Sequence, residues 1–237
     1  MAKEREYFFE YKMGYMLVVS SIVTAFAIVV PLLLMYFWFD DTGFFDFATG
    51  KTSTLIIGFV IMFLWMVLHE LLHGAFYILG GAKRKNITYG AALEKGIFYC
   101  RCGEYVNKNT IMKSLLAPFT IIGVITLIIG MLAKQWWLVA LSGMNIGGAG
   151  ADLCMFFFFL KRKDDIKFME YGDSSIFSLK TAENLEYKKF KCVKLIDKEK
   201  VPKNDNKVRL VISKASWWFA GLMAILFVLI FVLEKIS

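Results

Sequence analysis

The sequence predicts an all-α polytopic membrane protein of about five transmembrane helices, with a small β-type cytoplasmic hairpin and a short appended cytoplasmic region. Three observations carry this. The 237 residues are 58% hydrophobic with a mean hydropathy of +0.56, whereas soluble domains run nearer to half apolar. The apolar residues, 23 phenylalanines among them, gather in long uncharged runs of membrane-spanning length. The Lys and Arg residues collect in the connections between those runs, where the positive-inside bias puts them. The net charge of +8 is therefore not a nucleic-acid signal, and no nucleic-acid partner is expected.

Each element follows in order. Residues 1–14 are charged and aromatic. The first span covers about 15–39 and carries Pro31, whose freed carbonyl neighbouring helices can satisfy. Its apolar run is too long for a signal h-region and lacks a small-residue cleavage pattern, so it reads as an uncleaved span. Asp40, Asp41 and Asp46 mark an external loop. The second span, about 54–79, ends at Gly80-Gly81, and Lys83-Arg84-Lys85 mark a cytoplasmic exit. Ile87-Thr88-Tyr89 and Ile97-Phe98-Tyr99 are β-type triplets, predicting a hairpin or re-entrant loop over 86–106.

The third span covers about 111–132, with Pro118 early in it. The fourth, about 136–160, opens on Trp136-Trp137 and closes on Lys161-Arg162-Lys163. Residues 1–160 thus form the membrane core. A lysine-rich cytoplasmic region at 161–214 has strand-like stretches at 190–196 and 207–212. A last helix at 215–237, opening near Trp217-Trp218, completes the chain. These charges put the N-terminus in the cytoplasm.

The second span contains Leu68-His69-Glu70-Leu71-Leu72-His73-Gly74, an H-E-x-x-H. On a helix, His69 and His73 lie one turn apart on one face, able to reach one zinc ion. Glu70 stands beside them, placed to take a proton from an activated water. These are the only two histidines in the chain, and polar residues within a span are costly. A catalytic zinc usually takes three protein ligands, so the third must be a carboxylate or cysteine.

Asp152 is the leading candidate. It is an acid inside an apolar span, where acids are paired or metal-bound. It lies about 16 residues, roughly 24 Å, into the fourth span, and His69 about 15 residues, roughly 22 Å, into the second. Both spans descend from the same side, so the depths match. Gly143, Gly147 and Ala151 repeat every four residues and predict close helix packing there. Glu104, Cys100 and Cys102 are rivals if their loop folds back. Cys100-x-Cys102 lacks zinc-knuckle spacing and reads first as two small strand residues. Asn145 shares a face with Asp152. It is a candidate to bind substrate backbone or an oxyanion, and equally a helix–helix hydrogen bond.

His69-Glu70-x-x-His73, followed on a later span by Asn145 and Asp152, resembles the site-2 protease group of intramembrane metalloproteases. That group places prolines between the Asn and Asp and a Gly after the Asp. Here glycines and Leu153 stand in those places. The chain is closer to a prokaryotic membrane family of zincin-type peptidases with the same H-E-x-x-H and a later glycine-rich Asp segment. The resemblance implies Zn2+ held by His69, His73 and Asp152, with Glu70 as general base. It implies intramembrane proteolysis, a zinc metalloprotease hydrolysing transmembrane or juxtamembrane peptides in a prokaryotic cell membrane. The hairpin could offer a strand edge to an unwound substrate. The alternative is a non-enzymatic membrane protein with a structural zinc or partner-binding role. A metal transporter fits poorly, because such sites need more intramembrane acids or histidines.

Overall fold

The computed structural model describes residues 4–39, 52–92, 97–163, 165–171, 175–186, 189–201 and 210–211. The expected helix at 215–237 and most of the expected external loop lie outside the described residues.

The fold is mixed rather than all-α. Helices dominate, but a five-stranded antiparallel sheet closes one end, in the order β4-β5-β6-β1-β7. Its strands are β1 (Arg5–Tyr11), β4 (Val106–Asn107), β5 (Lys167–Tyr171), β6 (Ile176–Thr181) and β7 (Val193–Ile196). β1, from before the first helix, sits between β6 and β7, pairing Phe9 with Phe177 and with Leu195. Residues 165–201 therefore do not close on themselves but take a strand from the N-terminal segment. Strands paired across the whole chain length leave little local signal, and for that reason the sequence reads as helices with an appendage.

Four of the five expected spans fall among the described residues. Among the described residues three helical stretches are long and apolar enough to cross a membrane, Met13–Phe37, Val60–Leu79 and Lys108–Leu132. The expected fourth is two helices, α5 (Trp136–Gly148) and α6 (Gly150–Leu160), bent by 46°. The break falls at Ala149, between two glycines that weaken helix continuity.

α1 (Met13–Phe39) has no charged residue and stays helical through Pro31. Leu17, Val18, Ile22, Phe26, Leu33 and Phe37 all point outward, a surface that only an apolar environment covers. α2 (Thr52–Leu79) carries the H-E-x-x-H. It ends because Gly81 adopts a left-handed φ of 98°. The N–H groups of Gly81 and Ala82 then cap the carbonyls of Ile78 and Tyr77 at 2.9 and 3.0 Å. The hairpin predicted over 86–106 is present as β2 (Ile87–Ala92) and β3 (Ile97–Cys102), with β8 (Leu210–Val211) added parallel to β2. α3 (Lys108–Pro118) is capped by Asn107, continues as a π-helix over Phe119–Ile125, and ends in α4 (Thr126–Leu132).

The main core lies where helices meet the sheet. Phe9, Phe168 and Phe177 are fully buried beside Phe158 and Phe159 of α6. Phe159 meets Phe168 edge-on at 5.3 Å, and Phe9 stacks on Phe177 at 5.3 Å.

The close packing predicted for the glycine-rich stretch is present. It packs α5 and α6 on α1, not on the H-E-x-x-H helix. A Cβ on Gly143 would lie 2.8 Å from the Ala27 carbonyl oxygen, and one on Gly150 would lie 2.6 Å from the Ser20 Cα, while Gly147 abuts Thr24. Gly147→Leu is expected to destabilise the protein by about 1–3 kcal/mol or more through overpacking, read as a lowered melting temperature in detergent. Gly148→Ala, which meets nothing within 4 Å, is the control and leaves melting unchanged.

Candidate metal centre

α2 projects His69 and His73 from one face, one turn apart, with ring centres 4.9 Å from each other. α6 brings Asp152 between them. Its Oδ2 lies 3.1 Å from His69 Nε2 and 3.5 Å from His73 Nε2. His69, Glu70 and His73 offer ligand atoms that all lie within 4.8 Å of one another.

The tautomers are fixed from behind. His73 Nδ1 lies 3.0 Å from the Ser114 carbonyl oxygen, which can only accept, so Nδ1 carries the proton. That carbonyl is free because Pro118, four residues on, has no N–H to give it. Ser114 Oγ also donates to the His73 carbonyl at 3.1 Å, locking α3 to α2. His69 Nδ1 lies 3.0 Å from Asn145 Oδ1. The Asn145 Nδ2 donates to the Pro118 carbonyl at 3.2 Å, so its oxygen faces the imidazole and Nδ1 again donates.

When neutral, rings protonated at Nδ1 turn both Nε2 lone pairs to the carboxylate. Three acceptors that converge in a buried place repel unless a metal cation or a proton joins them. The spacing suits zinc. Ligand atoms about 2.0–2.1 Å from a tetrahedral zinc stand roughly 3.3 Å apart, between the two distances observed. A carbonyl or amide oxygen behind each ligating ring is the usual outer support of such a site. The residues present therefore fit a zinc ion.

β3 runs along the open side of the centre. The Cys100 N–H donates to the Glu70 carboxylate, and two residues on the Cys102 N–H donates to Glu170 Oε2 at 3.1 Å. Successive outward groups of one strand edge thus hold two carboxylates. Glu170 also accepts from Tyr77 Oη at 3.4 Å, and it lines the cavity of about 210 Å³ that contains His69, Glu70, His73 and Asp152. A second cavity of about 270 Å³ also reaches His69 and Glu70.

The structure therefore brings His69, Glu70, His73, Asp152 and Asn145 together. Of the rivals for third ligand, Glu104 is spent on the Lys83 N–H and the Asn86 amide. The Cys102 thiol is turned to the Glu104 carbonyl at 3.5 Å. Cys100 lines the cavity, but burial pushes its thiol well up, away from the thiolate that binds metal. Sequence reasoning missed Glu170, Ser114 and the part played by Pro118. The signals were present: an acid within Phe168-Met169-Glu170-Tyr171, and a proline four residues after a serine.

Residues 62–167 match the model of a family described as "Putative zincin peptidase". The match begins within α2 and ends at the first residue of β5, short of Glu170. It supports a zincin-like, zinc-dependent peptidase. No curated protein and no solved structure matches the chain.

Burial raises the Glu170 carboxyl from 4.5 to about 7. A raised pKa means that the folded chain holds the proton more tightly than the unfolded one. Ionisation therefore costs the folded state, by about 3 kcal/mol once complete. In the metal-free protein, stability should fall as pH rises from 4.5 through about 7. Glu170→Gln keeps the accepting oxygen and should flatten that fall in a melting-temperature series. An identical slope in the variant would assign the pH dependence to another group.

Proposed function

We propose that the chain is a zinc-dependent endopeptidase acting on peptides in or beside the membrane. The observation that carries it is the convergence of His69 Nε2 and His73 Nε2 on Asp152 Oδ2, with Glu70 alongside. A zinc ion held by those three atoms would supply a Lewis acid and bring the pKa of its water towards about 7.

The chain's own groups do the rest. Ser114 and Asn145 keep both imidazoles turned to present Nε2. Asn145 is thereby a positioning residue, since both ends of its amide are engaged. The Cys100 N–H steadies the Glu70 carboxylate, which takes a proton from the attacking water and returns it to the leaving nitrogen. Met62, Trp65, Met66, Phe98, Leu141 and Met144 line the second cavity and favour an apolar substrate side chain beside the scissile bond. Methionines adapt such a surface to varied shapes. Phe98 shares the outer edge of β3 with Cys100, so an unwound peptide can pair there as an added strand. The apolar outward faces of the three candidate spans support a membrane setting, and the lysine distribution supports a cytoplasmic N-terminus.

The decisive experiment uses purified protein and a quenched-fluorescent peptide with apolar residues flanking its central bond. Glu70→Gln should keep bound zinc and lose activity by about 10²–10⁴-fold; undiminished cleavage sinks the peptidase reading. Asp152→Ala should lower zinc content, and unchanged metal would remove Asp152 from the ligand set. Asn145→Ala should weaken zinc affinity by about 10–100-fold, measured by chelator competition.

A further inference from the structure

Away from the metal centre, a groove of about 500 Å³ runs along α1 and α6. One wall is Tyr15, Val19 and Val23, four residues apart along one face of α1. The other is Leu153 and Phe157, four apart on α6. At the end nearest the sheet the rim is basic: Lys161 and Arg162 follow α6, and Lys189 and Lys191 lie on the segment before β7. Among the described residues no acid lines the groove.

The rim is built rather than loose. The Arg162 guanidinium carbon lies 5.0 Å from the Phe158 ring centre and 4.7 Å from that of Phe190. Its Nη1 meets Glu183 Oε1 at 3.4 Å, and its Nε is buried without a hydrogen-bond partner. Lys12 Nζ donates to the Phe190 carbonyl at 2.8 Å, tying the Lys189–Lys191 segment to the start of α1. The three rim lysines themselves are exposed.

We propose that this groove holds one anionic phospholipid, its phosphate at the rim and an acyl chain along the apolar wall. Basic pockets between membrane helices recognise anionic headgroups. A free phosphate would use only the rim, and a zwitterionic lipid chiefly the wall. An anionic phospholipid uses both, and the wall lies on two helices whose outward faces suit lipid. Leu153 directly follows Asp152, so the lipid rests on the helix that carries that carboxylate.

Native mass spectrometry of the full chain, with phosphatidylglycerol and phosphatidylcholine of equal chain length, tests this. The expected result is one phosphatidylglycerol per chain, held about tenfold or more tightly than phosphatidylcholine. Replacing the exposed lysines together, Lys161→Gln, Lys189→Gln and Lys191→Gln, should bring the two lipids level. Val23→Trp should fill the wall and lower binding of both while the rim stays intact. Equal retention of the two lipids by the unaltered protein overturns the proposal, and that arm needs no variant to fold. Undiminished phosphatidylglycerol binding by the lysine variant also overturns it. Displacement by equimolar inorganic phosphate would show a free-anion site instead.

Discussion

Two imidazole nitrogens and a carboxylate oxygen turned towards one point, between apolar helices, set the terms for the rest of the molecule. Each such group is costly to bury unless every polar atom is answered. The answers come from three elements. α3 supplies the Ser114 carbonyl and, at its last residue, the Pro118 carbonyl that holds Asn145; α5 supplies Asn145, and α6 supplies Asp152. Removing any one leaves a buried donor or charge unpaired, which costs about 1–3 kcal/mol for a neutral group and more for an ion. The polar centre therefore adds to the apolar contacts in holding the helices in register.

Pro118 shows how a local defect becomes a contact. In an ordinary helix the Ser114 carbonyl would belong to residue 118 and be closed to His73. Proline withholds that N–H, and a widened π-helical turn over Phe119–Ile125 begins at the next residue. One substitution-sensitive position thus frees the acceptor that orients one histidine, and its own carbonyl anchors the amide that orients the other.

What the sequence made legible follows from distance along the chain. The H-E-x-x-H is a local pattern, and its chemistry could be read from three letters on one helical turn. Asp152 was legible because an acid in an apolar run is expensive. The β2–β3 hairpin was legible because its strands are adjacent and β-branched. Glu170 and β1 were not. Phe9 finds Phe177 across 168 residues, and no periodicity in either segment announces the other. The glycine stripe was read as a close-packing surface, but a small-residue pattern names no partner. Only the structure shows that Ser20, Thr24 and Ala27 of α1 fill it.

That long-range sheet changes what the region after α6 does. β5 carries Glu170 to the cavity wall, and β3 holds Glu170 and Glu70 by N–H groups two residues apart. Since alternate residues of a strand face the same edge, a shift of β3 by one residue would release both carboxylates together. Glu70 is thus held not by its own helix alone but also by β3, a strand of the smaller sheet that meets the five-stranded one through the Cys102–Glu170 hydrogen bond. β1 sits inside the five-stranded sheet, between β6 and β7, so a segment that precedes α1 joins the sheet that carries Glu170 to the cavity wall.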